Sequence, residues 1–376
     1  MQSLDASRDV GTRRTVRSPY SPTMRFVVAV ALVLVAAAIP MTAATQEERP
    51  QISNGRIAFK GGTHLFTITP TGRGRRQLTR GTGLDDEPVW SPNGRWIAFS
   101  RTERRSKLTS VYVIPGTGGA PRLLVRGARS PSWSPTGRRL AVLRASGSCI
   151  RRCSGARGVW TVAFAGGKPR LASAAAWSSD WSRSGRELAV MEPDGMAVVN
   201  VASGKTKGVS PFRGQPGTPF DWSPDDSSFV LVTGDGVVTV SVADGSARTL
   251  AKSPPRNESC SGSGSVQSPT WSPDGRWIAY QEIRCVQEGR FFLRSSINIL
   301  NADGVWHSNI DNMVWGYSDD FGPHSFVWSP DSRYLAFIDE ADSIGESFLE
   351  VADLAVPIKR LTAGASSTPC WQRLVP

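Results

Sequence analysis

The side chains best suited to chemistry in this sequence are few, and most are acidic. Asp85, Asp86 and Glu87 form a triplet that could hold a cation, although a run of acids is more often a solvated loop. Farther along, Trp306, His307, Asp311, Trp315, Tyr317, Asp319, Asp320 and His324 combine aromatic anchors with acidic groups. That mixture suits stacking on a sugar or gripping a peptide, and its plain alternative is a lid packed on itself. The only histidines are His64, His307 and His324, and neither an HExxH zinc motif nor a GxSxG nucleophile motif occurs. Metalloprotease and serine-hydrolase chemistry are therefore unsupported. One catalytic reading survives: a carbohydrate- or lactone-active enzyme using a carboxylate-bound divalent cation such as calcium, with Asp85, Asp319 and Asp320 as candidates.

These residues sit in a repeat. Trp90 opens WSPNGRWIAFS, Trp133 WSPTGRRLAVL, Trp181 WSRSGRELAVM, Trp222 WSPDDSSFVLV, Trp271 WSPDGRWIAYQ and Trp328 WSPDSRYLAFI, and Trp371 opens a truncated seventh. The spacings of 43, 48, 41, 49, 57 and 43 residues fall in or near the period of about 40 to 50 that marks propeller blades. Ser, Pro, Asp or Asn, and Gly in that order suit the four positions of a type I turn, so the Trp ends one strand and the turn starts the next. The following segment, IAF or LAV, is short and apolar throughout, as a strand buried on both faces must be. A third apolar strand, often a DG turn, and a fourth strand complete each unit. Residues 57–79 supply strands two to four without a Trp strand, and residues 369–374 supply a Trp strand alone. Pairing them closes a ring and removes the exposed edges. The expectation is an all-β, single β-propeller of four-stranded blades. Seven blades is the favoured count, and six the alternative if the unit at Trp181 or the irregular one after Trp271 is incomplete. The repeated Trp residues then read as blade packing rather than a binding stripe.

WSPDG followed two residues later by IAY or LAF resembles the TolB-type, WD-like propeller repeat over about residues 52–376. The resemblance implies the fold, and by extension an extracytoplasmic protein-binding module; a repeat identifies architecture rather than activity. The TolB family carries a further N-terminal domain, for which residues 45–51 are too few, so a role in the same envelope complex is not implied.

Export is expected independently. Residues 26–39 read FVVAVALVLVAAAI behind Arg25 and before small residues at Thr42, Ala43 and Ala44, which is a signal-peptide pattern. Residues 1–45 are thus an export signal or, uncleaved, a membrane anchor through residues 26–44, with an upstream tail if translation starts at Met1 rather than Met24; residues 46–376 are the propeller. The destination is periplasmic, cell-surface or secreted. In that setting the five cysteines invite disulfides: Cys149 with Cys153 in one loop, and Cys260 with Cys285 on one face of a blade, leaving Cys370 as a buried thiol. CxxxC without a second Cys or His pair leaves zinc unsupported.

In a four-stranded blade the connections after strands two and four emerge on one face of the disk, and those after strands one and three on the other. Segments 101–109, 144–158, 282–290 and 339–347, together with 80–88, 252–268 and 308–325, put all the long loops on the first face. Loops on a rigid scaffold usually carry binding, so a protein or cell-wall polymer is expected there. The net charge of +12 favours anionic partners, while the scatter of arginines along the chain disfavours nucleic acid. The overall expectation is a monomeric, non-catalytic propeller without an obligatory cofactor.

Overall fold

A computed structural model describes residues 53–374, apart from 146–156, 211, 213–217, 259, 261–262, 289, 313–323, 342–345, 354–355 and 367–368. The described residues are strands and turns, with no helix. Residues 1–52, including the apolar run, lie outside them.

Twenty-eight strands form seven antiparallel four-stranded sheets. Blade 1 is composite, in the order β28 (Cys370–Leu374), β1 (Ser53–Gly61), β2 (His64–Ile68), β3 (Arg76–Gln77). Blade 2 comprises β4 (Leu84–Trp90), β5 (Trp96–Thr102), β6 (Thr109–Pro115) and β7 (Arg122–Arg126), and blade 3 comprises β8 (Ala128–Trp133), β9 (Arg139–Ala145), β10 (Arg157–Ala163) and β11 (Arg170–Ser173). Blade 4 runs β12 (Ser178–Trp181), β13 (Glu187–Glu192), β14 (Gly195–Asn200) and β15 (Thr206–Ser210); blade 5 runs β16 (Phe220–Trp222), β17 (Ser228–Thr233), β18 (Gly236–Ser241) and β19 (Ala247–Lys252). Blade 6 holds β20 (Ser265–Trp271), β21 (Trp277–Glu288), β22 (Arg290–Asn301) and β23 (Trp306–Asn312), and blade 7 holds β24 (His324–Trp328), β25 (Tyr334–Ala341), β26 (Glu346–Asp353) and β27 (Val356–Ala363). The first strands of successive blades touch in an unbroken cycle, from β4 through β8, β12, β16, β20 and β24 to β28 and back to β4. They line the central channel. The seven-blade count holds, and the chain ends meet in blade 1, with Ile57 opposite Trp371.

The repeat's turn explains its spelling. The Ser hydroxyl bonds the Asp two residues on, as in Ser272 to Asp274 at 2.6 Å, and accepts the N–H five residues on, as from Trp277 at 2.9 Å. The residue at the fourth turn position lies in the left-handed region, and Gly94, Gly137, Gly185 and Gly275 meet that need without strain. Blades 5 and 7 place Asp226 (φ 60°) and Ser332 (φ 62°) there instead. Both make bonds that a glycine could not. Asp226 accepts from Ser184 N at 3.0 Å, and Ser332 Oγ accepts from Asp274 N at 3.0 Å, each tying its turn to the preceding blade's.

The core lies between blades rather than in one mass: seven apolar clusters fill the seven blade interfaces. Second strands are buried on both faces, so Ile97, Ala98 and Phe99, like Leu335, Ala336 and Phe337, are fully covered. Each large side chain so buried contributes roughly 1.5–3 kcal/mol. The repeated indoles add a directional link, donating from Nε1 to the backbone oxygen one residue before the preceding blade's Trp: Trp133 to Val89, Trp181 to Ser132, Trp222 to Asp180 and Trp328 to Thr270, at 3.1 to 3.4 Å. They are blade packing.

Three expected loops prove to be strand in part. Residues 282–288 and Arg290 continue β21 and β22 into a long hairpin, with Cys285 opposite Leu293 and Val286 opposite Phe292, because β-forming residues run on past the disk's rim. Residues 339–341 and 346–347 likewise extend β25 and β26, pairing Asp339 with Phe348 and Glu340 with Ser347. Within 80–88, β4 already begins at Leu84, which places the acidic triplet on the first strand of blade 2.

Candidate functional site

The acidic triplet is occupied from within. Asp85 has no exposure, and its carboxylate receives Arg101 Nε at 2.5 Å and Nη2 at 2.8 Å in a forked pair; the same bond holds the Arg101 guanidinium above its ordinary pKa. His64 Nδ1 stands 3.9 Å from Asp85 Oδ2, beyond hydrogen-bond reach, and is itself buried and unpartnered. Asp86 takes Lys60 Nζ at 2.8 Å. Glu87, at φ 51°, sits in a bulge of β4 and reaches into blade 3, accepting from Ser130 N at 2.7 Å and Ser130 Oγ at 2.9 Å, while Ser100 Oγ of its own blade donates to it at 2.5 Å. The expected solvated loop is thus a partly buried joint between blades 1, 2 and 3, because β4 is an inner strand and its acids face protein donors.

The second group is dispersed. Trp306 and His307 open β23, an outer strand, beside the short turn that follows Leu300. That is the face opposite the long loops, which corrects their expected position: the insertion starts only after Asn312. His307 stacks on Trp277 with ring centroids 4.3 Å apart, while Trp306 is 60% exposed. Asp311 lies on β23 and His324 begins β24. Trp315, Tyr317, Asp319 and Asp320 lie outside the described residues, as do Cys149 and Cys153. Cys260 and Cys285 are bonded, with Cα atoms 5.8 Å apart, fastening the blade 5–6 connection to the long hairpin. Cys370 is a free thiol, half-buried, whose Sγ accepts from Trp90 N at 3.2 Å; burial pushes its pKa up to about 11.

Two features had no clear signal in the repeat. One is an acid pair on the channel wall. Asp180 and Asp221 each immediately precede the Trp of their blades, where other blades carry Val, Ser, Thr or Cys. Asp180 accepts from Trp181 N at 2.9 Å and Trp222 N at 3.1 Å, and Asp221 from Thr270 Oγ1 and Trp271 N, both at 2.7 Å. Both are half-buried. Burial, then the charge of Asp221, raises Asp180 well above the carboxylate range; burial also raises Asp221. The two carboxyl groups are close enough for each to bear on the other's ionisation. A signal existed in the DW dipeptides, but only the ring makes them neighbours.

The other feature is the short-turn face, which holds two arginine-rimmed clefts. One, of about 370 Å³, lies among the Ser-Pro turns at the channel mouth, with Arg183, Arg373, Asp274 and Asp331 on its walls. Arg183 Nη2 donates to Pro273 O at 2.8 Å; burial and the nearby Arg373 push its guanidinium downward. The second, of about 450 Å³, lies between blades 1 and 2 and is lined by Arg56, Arg76 and Arg95 without any acid. Among the described residues no group of three or more His, Cys, Asp or Glu is placed to hold a metal ion.

No family model matches the chain. Over 77 residues it is 40% identical to the Tol-Pal system protein TolB of Zymomonas mobilis and 39% identical to TolB 1 of Novosphingobium aromaticivorans. Each match covers 20% of this chain and 17% of the relative, so the chain spans about a sixth of those proteins' length. Among solved structures, a prolyl endopeptidase chain superposes with TM-score 0.57 at 14% identity, over 85% of this chain and 50% of that one. The propeller domain of the Trilobed protease from Pyrococcus furiosus, which has an open velcro topology, gives 0.53 at 15% identity, over 76% and 86%. At such identity these two likenesses show the fold alone. With its ring closed by β28 and β1 and a 77-residue stretch similar to those relatives, the chain is a seven-bladed, TolB-like β-propeller.

Proposed function

We propose that this protein is an exported, non-catalytic binding propeller that presents a rigid face to a protein or polymer of the cell envelope. The observation that carries the reading is how its charges are used. Asp85, Asp86, Glu87, Asp180 and Asp221, which acid–base chemistry would need free, are taken up by protein donors, whereas arginines stand at open clefts. The partial likeness to a Tol-Pal system protein supports an envelope setting and protein partners, and the apolar run at residues 26–39 supports export. The long-loop face, with Trp315, Tyr317, Asp319 and Asp320 in its longest insertion, is the surface for such a partner.

Two measurements test this reading. The leader fused to an alkaline phosphatase reporter should give activity outside the cytoplasm. Calcium at about 1 mM should leave the melting temperature within about 1 °C of its starting value, far below the rise that saturation of a tight site produces. A calcium-dependent rise that disappears in Asp319→Ala or Asp320→Ala would instead support the carbohydrate- or lactone-active enzyme.

A further inference from the structure

The segment that opens blade 1 is charged in one sense only. Residues 50–84 contain Arg56, Lys60, Arg73, Arg75, Arg76 and Arg80 and no acid, and β28 adds Arg373. Some of this charge is spent locally. Lys60 is paired with Asp86, and Arg75 lies over the Phe66 ring, 4.4 Å from its centroid. Arg56 and Arg76 instead meet Arg95, from the Ser-Pro turn of blade 2, around the 450 Å³ cleft. That volume is within the roughly 300–1,000 Å³ of ordinary small-molecule sites.

The cleft is built rather than incidental. Arg56 is locked in place by Nε to Thr67 Oγ1 at 3.0 Å, Nη2 to Thr67 O at 3.2 Å and a further Nη2 bond to Gly74 O. All three acceptors are neutral, so its charge stays uncompensated; burial and the charge of Arg76 both push its pKa down. Gln372 joins the two walls, accepting from Arg56 N at 2.9 Å and donating to Gly94 O at 2.7 Å. Trp90 and Gly116 also line it, and Gly116 leaves room for the indole, since a Cβ there would stand 2.3 Å from Trp90 Cζ3. Arg76 and Arg95 are exposed, and among the described residues their guanidiniums have no carboxylate or hydrogen-bond partner.

Three guanidiniums around one cleft repel one another, as the effect of Arg76 on Arg56 shows, and a ligand of opposite charge relieves that cost. A single carboxylate would leave two of the three charges unmatched. Guanidinium forks fit the tetrahedral oxygens of phosphate in paired hydrogen bonds, and a phosphomonoester or diphosphate carries the required double charge. We propose that the cleft between blades 1 and 2 is a phosphoryl-binding site, taking a phosphomonoester or diphosphate on Arg56, Arg76 and Arg95 with its organic part against Trp90. The ligand is either a soluble phosphorylated molecule or the phosphomonoester headgroup of a lipid. The site lies on the face opposite the long loops and stands whether or not a protein docks there.

The test uses the full chain and inorganic pyrophosphate at constant ionic strength, with sodium chloride as the reference salt. Pyrophosphate at about ten times its dissociation constant should raise the melting temperature by about 2 °C. The rise should vanish in Arg76→Gln/Arg95→Gln and persist in Arg183→Gln/Arg373→Gln, which removes the same charge from the other cleft. Unliganded melting of the first pair should match the wild type, since neither side chain bonds within the protein. No rise in the wild type, or an equal rise in both double variants, overturns the site in favour of a diffuse basic surface. Flotation with vesicles of phosphatidate, against phosphatidylcholine alone, then separates the sources: capture that is lost in Arg76→Gln/Arg95→Gln assigns a lipid headgroup, and a pyrophosphate shift without capture assigns a soluble ligand. Either result upholds the site.

Discussion

Blades 1 and 2 adjoin, yet they treat charge in opposite ways. At the long-loop end of their interface, Asp85, Asp86 and Glu87 each meet a donor within 2.9 Å, and one of them is wholly buried. At the short-turn end, Arg56, Arg76 and Arg95 share a cleft with no acid. The first arrangement is structural: its charges were desolvated on folding and are offset by geometry. The second leaves its charges to be matched from outside. Function is therefore better sought where a conspicuous charge lacks a partner than where charges are merely clustered.

The largest effect that would break this contrast is at Asp85. Asp85→Asn leaves the half-buried Arg101 without its forked partner, and uncompensated buried charge costs about 3 kcal/mol. Urea unfolding should show the loss; a change below about 1 kcal/mol would mean the triplet is free to act as a site after all. Glu87→Ala comes next, removing two bonds to Ser130 that span blades 2 and 3 and a third to Ser100 within blade 2, at a strained residue, with an expected cost of about 2 kcal/mol read from the same curves. Its failure would weaken the view of the triplet as an inter-blade joint.

The acid pair in the channel sharpens the contrast through pH. Asp180 and Asp221 have folded pKa values raised above their unfolded ones, so the stability they contribute is fully present below the unfolded carboxylate value and is lost as pH rises through the folded ones. Melting followed from acidic to neutral pH should therefore show a fall due to this pair, and Asp180→Asn should flatten it. An unchanged slope in the variant would show that this pair does not cause the fall. The smallest effect is at the arginines themselves: Arg76→Gln and Arg95→Gln should alter stability by less than about 0.5 kcal/mol, as surface changes do. A substantial loss would mean that these side chains are structural, like the acids opposite.

Much of the fold was legible because the repeat spells out local physics. The Ser-Pro-Asp-Gly turn bonds within itself, the apolar triplet must be buried on both faces, and the two end fragments lack complementary strands. The Cys260–Cys285 pair followed from that register. The reach of the long hairpin did not, since residues 283–293 carry the alternation of a strand and the polar insertions of a loop, and only the antiparallel ladder from Ile283 through Leu293 decides between them. Trp306 and His307 were misplaced for a related reason: the fourth strand of blade 6 has no repeat signature, so its start could not be separated from the insertion that follows.

By itself the sequence determined the all-β class, the four-stranded blade and the packing role of the tryptophans, and it favoured seven blades over six, because each rests on contacts within about one repeat or on a pattern repeated in every blade. Only the tertiary structure decided which charges are used up and which are not. Glu87 meets Ser130 between blades 2 and 3, Asp180 meets Asp221 around the ring, and Arg56 meets Arg95 across an interface between blades. Those meetings depend on where strands from different blades lie in three dimensions. No local pattern encodes that placement, because electrostatic pairing acts through space rather than along the chain.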